Sequence, residues 1–202
     1  MTIRAVYIDF GGVLMRTEDR GPRTRLAERM GMTYREIEGL IFGSESSRRA
    51  SLGEITEADH WQACAQVLGV GRDQMDEISR EFFAGDVADK TLLDTLRSLR
   101  PRYWVGLISN AWSGLRPWIA SQGFADAFDA MVISAEVGLM KPDEAIYRHA
   151  LEQFGVAPEE AVFVDDFPEN VEGARAVGMQ VIHFTDSRQA IRQLQSMLDN
   201  RI

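Results

Sequence analysis

The sequence predicts an α/β fold: a parallel sheet covered by helices on both faces, with a small helical bundle inserted after the first strand. Three observations carry this. A short apolar run, Ala5-Val6-Tyr7-Ile8, opens the chain. A long stretch of helix signals follows it, with no convincing strand. After about residue 100, short apolar runs alternate with amphipathic helices, as in a parallel sheet buried on both sides.

The elements follow in order. A short helix is expected near residues 22–30. Thr33 and Glu36 have capping-box spacing ahead of Ile37, Leu40 and Ile41. Thr56 opens a helix with Trp61, Cys64, Ala65 and Leu68 on one face, and Gly69 stops it. Asp73 opens another, with Met75, Ile78 and Phe82 at helical spacing and Gly85 as its stop. These segments make the inserted bundle. Leu92, Leu93, Leu96 and Leu99 form one helix face, followed by Pro101, and pack on the sheet. The later strands are Trp104–Ile108, Ala130–Ile133, Ala161–Val164 and Val181–Phe184. Helices near 114–122, 143–154, 168–177 and 187–198 separate or follow them. The last carries the stripe Ala190, Ile191, Leu194, Met197 and Leu198. Crossovers in such a sheet are right-handed, and ligands bind at the carboxyl ends of its strands.

Composition narrows the function. The chain has 202 residues, 45% hydrophobic and 26% charged, which is an ordinary globular balance. A chain of this length buries roughly 70% of its unfolded surface, so its core needs no disulfide. The formal charge of −9 lacks the footprint for nucleic acid and is repelled by anionic membranes. Cys64 is the only cysteine, so no internal disulfide forms. No apolar run approaches a signal peptide or the roughly 20 residues of a membrane span. A cytoplasmic protein is expected, of open oligomeric state.

Four short stretches carry chemistry. Asp9 stands at the end of the first strand, before Gly11-Gly12, where glycines let backbone approach a ligand. It can act as a nucleophile or cap a turn. Ser109-Asn110 ends the strand Trp104–Ile108 and can bind phosphoryl oxygens, although turn serines are common. Lys141-Pro142 precedes a helix; the lysine can neutralise an aspartate and a transferred phosphate, or be an ordinary surface lysine. Asp165-Asp166 ends the run Val162-Phe163-Val164. One acid would suffice to cap the helix that Pro168 opens. Two adjacent carboxylates repel each other unless a cation is near, and hard oxygen ligands favour magnesium.

Together, in this order, these stretches resemble the haloacid dehalogenase-like (HAD) hydrolases over essentially the whole chain. Val162 to Asn170, running on through Glu172-Gly173-Ala174-Arg175 to Gly178, looks like that family's fourth motif. Gly138-Leu139-Met140-Lys141-Pro142 looks like its third. Leu107 to Trp112 and Gly53-Glu54-Ile55-Thr56 resemble the family's sugar-phosphate phosphatases and the phosphatase domain of soluble epoxide hydrolases. The resemblance implies a Rossmann-like, three-layer core over 1–14 and 88–202 and a helical cap over 15–87. It implies a Mg2+-dependent phosphatase acting on a small phosphorylated metabolite through an aspartyl-phosphate on Asp9. Asp9, the Gly11 carbonyl and Asp166 would hold the metal, with Asp165 beside it. Ser109 and Asn110 would hold the phosphoryl group, Lys141 would balance charge, and Asn170 would support the metal shell.

Position 11 departs from the family's pattern, in which an aspartate protonates the leaving oxygen and activates water. Gly11 does neither, and general acid–base catalysis is worth about 10²–10⁴-fold. Good leaving groups, such as acyl phosphates or sugar 1-phosphates, need it less. The alternatives are a catalytically weak or silent Mg2+- and anion-binding protein and, less in keeping with Asp165-Asp166, a 2-haloacid dehalogenase. Among other residues, Trp112 reads as a loop anchor more than a pocket wall. Arg16, Arg48 and Arg49 read as solvated surface, and Arg20, Arg23, Arg25 and Arg29 as a solvated helix face. His60, His149 and His183 show no metal-ligand spacing; His60 reads as helix packing and Cys64 as core.

Overall fold

The computed structural model describes residues 2–100 and 102–199. Pro101, expected to follow a helix, lies outside them. The strands are β1 (Ala5–Ile8), β2 (Met15–Thr17), β3 (Asp86–Ala88), β4 (Trp104–Ser109), β5 (Ala130–Ile133), β6 (Ala161–Asp165) and β7 (Gln180–His183). Five of them form one parallel sheet in the order β5-β4-β1-β6-β7, so the first strand lies at its centre. Pairing continues past β1: the Asp9 amide donates to the Val164 carbonyl at 2.9 Å.

Helices cover both faces. Side chains alternate along β1: Val6 and Ile8 face one side, Ala5 and Tyr7 the other. The first face packs against α6 (Lys90–Leu99) and α11 (Ser187–Asp199) through Leu92, Leu93, Leu96, Ala190 and Leu194. The second packs against α9 (Glu144–Phe154) and α10 (Pro168–Val177) through Ile146, Tyr147, Ala150 and Ala174. Tyr7 is buried there with its hydroxyl donating to the Ala150 carbonyl at 2.6 Å. This is the three-layer Rossmann-like arrangement. Two short helices, α7 (Leu115–Ser121) and α8 (Ser134–Val137), follow β4 and β5.

Between β2 and β3 lie α1 (Gly21–Arg29), α2 (Tyr34–Phe42), α3 (Glu45–Ser51), α4 (Glu57–Leu68) and α5 (Arg72–Phe82). They close round a separate core of Leu26, Ile37, Ile41, Cys64, Met75, Ile78 and Phe82. The expected capping box forms, with Thr33 exchanging hydrogen bonds with Glu36; Thr56, expected to open a helix, does so through a second box with Asp59. Among the described residues no helix is long and apolar enough to cross a membrane.

Several expectations are corrected. The middle stretch does contain strands: β2 and β3 pair antiparallel with each other, Met15 opposite Ala88 and Thr17 opposite Asp86. Three mixed-polarity residues each, they carry no apolar run. The bundle also has a fifth helix, α3, which lacks an apolar stripe and starts from a Ser44 hydroxyl cap. Helix α5 opens at Gly71, whose amide donates to the Gln74 side chain at 3.1 Å, and ends at Phe82, short of Gly85. Strand β7 sits one residue earlier than expected, because Gln180 pairs with Val162.

Arg23 is not on a solvated face. It is 3% exposed. Its guanidinium donates to both Asp86 carboxylate oxygens at 2.8 Å, to Glu38 at 2.8 Å and to the Phe82 carbonyl at 2.9 Å. Its carbon lies 4.2 Å from the Phe82 ring centroid. One side chain thus ties α1, α2 and α5 to β3. An arginine between a proline and a threonine gives no sign of this in one dimension.

Candidate active site

The carboxyl ends of β1, β4 and β6 meet at one edge of the sheet, and the chemistry-bearing side chains meet there too. Asp9 follows β1, while Ser109 and Asp165 end β4 and β6. All three are buried. The Lys141 ammonium reaches the two carboxylates from the loop before α9, 2.7 Å from Asp9 Oδ1 and 2.7 Å from Asp165 Oδ2. The Lys141 side chain is 1% exposed, so it is no surface lysine.

Asp9, Lys141 and Asp165 are each held from behind. Asp9 Oδ1 also accepts the Phe10 amide at 2.7 Å. Asn110 clamps the lysine's main chain from both sides: its Oδ1 accepts the Lys141 amide and its Nδ2 donates to the Lys141 carbonyl, each at 2.8 Å. Asp165 accepts the Phe167 amide at 2.8 Å and the Asn170 amide group at 3.1 Å on both oxygens. The Asn170 main-chain carbonyl accepts the Tyr147 hydroxyl at 2.8 Å. Asp165 and Asn170 therefore position the lysine, while Asp166 is left differently placed.

Asp166 Oδ1 is buried without a hydrogen-bond partner. Asp9, Asp165 and Asp166 each offer an oxygen within 4.8 Å of the others. Burial pushes the Asp9 carboxyl up to about 7; the Lys141 ammonium opposes this and the Asp165 charge adds to it. Burial, then Asp165, raises Asp166 as well. One ammonium does not balance three carboxylates, so the donor set suits a hard divalent cation. Backbone makes room for it: Gly12 has φ +80°, and a Cβ there would lie 2.2 Å from Asp166 Oδ2. A Cβ on Gly11 would meet nothing within 4 Å.

Sequence and fold both have relatives among known proteins. The sequence profile of haloacid dehalogenase-like hydrolases matches residues 3–178. The chain belongs to that family. It is 28% identical to a sesquiterpene phosphatase of Aspergillus oryzae, covering 98% of this chain and 97% of the relative. It is 24% identical to bifunctional epoxide hydrolase 2 of mouse over 98% of its own length, but spans only 39% of that protein. A HAD family enzyme of Bacteroides thetaiotaomicron, solved with magnesium and inorganic phosphate, superposes with a TM-score of 0.76 at 25% identity. The match covers 92% of this chain and 96% of that one. The fold and the hydrolase family are thereby established, with phosphatases among the relatives.

The other singled-out residues divide. Trp112 anchors the loop after β4 in the inserted bundle: its Nε1 donates to Ser47 Oγ at 3.3 Å, and its ring lies 4.6 Å from His60 and 6.0 Å from Phe42. His60 is buried against it, with Nδ1 2.9 Å from Ser46 Oγ, and burial lowers its pKa. Cys64 is core. Arg48 and Arg49 pair with Glu45 and Glu54 at the surface. Arg48 also lines a cavity of about 500 Å³ with Leu52 and residues 138–143. His183, which shows no metal-ligand spacing in the sequence, has its Nε2 3.0 Å from the Asp166 carbonyl. Only pairing of β7 with β6 brings it there. Arg16 is not solvated surface either: its guanidinium donates to the Val13 carbonyl at 2.7 Å and to Asp89 Oδ2 at 3.0 Å.

Proposed function

We propose that the protein is a magnesium-dependent phosphatase that cleaves a small phosphorylated metabolite through an aspartyl-phosphate on Asp9, with residues 15–87 as its cap. What carries the reading is the charge count at the sheet edge: three clustered carboxylates, one buried ammonium and an unpartnered Asp166 oxygen. Asp9 Oδ1 is occupied by Lys141 and the Phe10 amide, which leaves Oδ2 to attack phosphorus. The bond from phosphorus to the leaving oxygen breaks, and its electron pair departs with that oxygen. Water then cleaves the acyl phosphate and frees Asp9. Ser109 and the loop clamped by Asn110 receive phosphoryl oxygens, and Lys141 balances charge. Asp9, Asp166 and the Gly11 carbonyl would hold the metal, which when bound would supply charge neutralisation for the transferred group.

Gly11 provides no proton for the leaving oxygen. The open space at that position admits water or the leaving group itself. The preferred substrates are therefore those whose leaving group departs readily as an anion, an acyl phosphate or a sugar 1-phosphate among them. The likeness to a sesquiterpene phosphatase adds a terpenyl phosphate to the panel. The test is phosphate release from acetyl phosphate, glucose 1-phosphate, farnesyl phosphate and p-nitrophenyl phosphate, with magnesium and with chelator. Release that needs magnesium and vanishes in a folded Asp9→Asn variant supports the reading. Magnesium binding without any release points instead to the silent anion-binding protein that Gly11 also allows.

A further inference from the structure

Two strands join the inserted bundle to the core, and one side chain braces both. Arg16, in the middle of β2, sends Nη1 back to the Val13 carbonyl at 2.7 Å and to Ser187 Oγ at 3.4 Å. Its Nη2 donates to Asp89 Oδ2 at 3.0 Å, and its Nε donates to Glu18 Oε1 at 3.2 Å. The guanidinium carbon lies 5.6 Å from the Phe184 ring centroid. Asp89 begins α6, where the chain re-enters the core from β3, and its side chain is 9% exposed. It also accepts the Leu92 amide at 2.9 Å and the Ser187 hydroxyl, and its own amide donates to the Leu14 carbonyl at 2.8 Å.

Val13 belongs to the turn that carries Asp9. That turn is closed by the Leu14 and Met15 amides, which donate to the Phe10 carbonyl at 2.9 and 2.8 Å. Four hydrogen-bonding groups on four segments therefore converge on one guanidinium: the nucleophile turn, the exit of β2, the start of α6 and the start of α11. A planar fork with donors in three directions can serve them together, whereas an ammonium cannot.

We infer that Arg16 is a positioning residue that couples the nucleophile turn to both connections of the cap. It touches none of Asp9, Lys141 or Asp166, so it acts through the Val13 carbonyl. The inference rests on the proposed phosphatase reading for its kinetic consequence but not for its structural one.

The test uses Arg16→Lys, Arg16→Met and the double change Arg16→Met/Asp89→Asn, the last leaving no buried carboxylate unpaired. Two measurements are made on each. Amide hydrogen exchange reads the contact without turnover: the Leu14 and Met15 amides exchange faster by roughly tenfold or more in all three variants, while β4 and β6 stay protected. Unchanged exchange at Leu14 and Met15 overturns the inference, whatever the activity. In steady-state phosphate release, kcat falls by roughly ten- to a hundredfold with KM little changed, as misplacement of a nucleophile requires. The lysine variant keeps the charge and still shows the fall. Wild-type kcat in a variant overturns the inference; a silent wild type refutes the phosphatase reading and leaves the exchange result to decide this one.

Discussion

Replacing Gly12 with alanine perturbs the site in two separable ways. The residue has φ +80°, where an L side chain costs about 1–2 kcal/mol. In a protein of this size each kcal/mol lowers the melting temperature by about 2–4 °C, so strain alone predicts a fall of about 2–8 °C. The new methyl would also stand 2.2, 2.5 and 2.7 Å from Oδ2, Cγ and Oδ1 of Asp166, roughly 1 Å short of ordinary contact. Asp166 makes no side-chain hydrogen bond through Oδ1 that would resist, so it rotates away at small cost to the fold and large cost to any cation it holds. Scanning calorimetry in chelator reads the first effect, and the added stabilisation in magnesium reads the second. At a hundredfold excess over its dissociation constant a ligand adds about 2.7 kcal/mol. Wild type shows such a rise and Gly12→Ala loses most of it. A variant that melts with wild type in chelator and gains the same rise in magnesium would refute the reasoning.

Two further expectations concern the inserted bundle. Arg23→Met strands the Asp86 carboxylate and the Phe82 carbonyl, and breaking a buried pair from one side costs about 3–5 kcal/mol; urea denaturation with a loss under about 1 kcal/mol would show that the guanidinium is not buried as described. His60 has its pKa lowered by burial, so below the ordinary value of about 6.5 the unfolded chain takes up a proton that the folded chain resists. Stability therefore falls as pH drops from 7 towards 5. His60→Gln, which keeps a hydrogen-bonding partner for Ser46, flattens that slope in pH-dependent melting, and an unchanged slope would assign it to other groups.

Much of the core was legible because its signals are local. An apolar run four residues long that ends in an acid specifies both a buried strand and the place of its carboxylate, as at Ile8–Asp9 and Val164–Asp165. The capping-box spacing at Thr33 and the cap residue Thr56 marked two helix starts in the same way. What escaped depends on partners far along the chain. Strands β2 and β3 exist only because residues some seventy positions apart pair with each other. Arg23 is buried because Asp86 and Glu38 come to it, and nothing beside it in the sequence says so. Within the site, the residue types were legible and the division of labour was not. Asp165 and Asp166 look alike as a doublet, yet one has both oxygens engaged with Lys141, Asn170 and the Phe167 amide, and the other has a free oxygen.

The seating of Trp112 has a consequence for how such proteins diversify. The loop that ends β4 lies at the reacting edge of the sheet, and three residues past Ser109 its indole is socketed among Phe42, His60 and Trp61 of the bundle. The bundle is thus not a freely exchangeable attachment. A bundle transplanted from a relative brings new walls for the substrate, but it must also bring a socket for this indole, or the loop beside the nucleophile loses its outer support. Exchange of specificity is constrained by a contact that never meets the substrate.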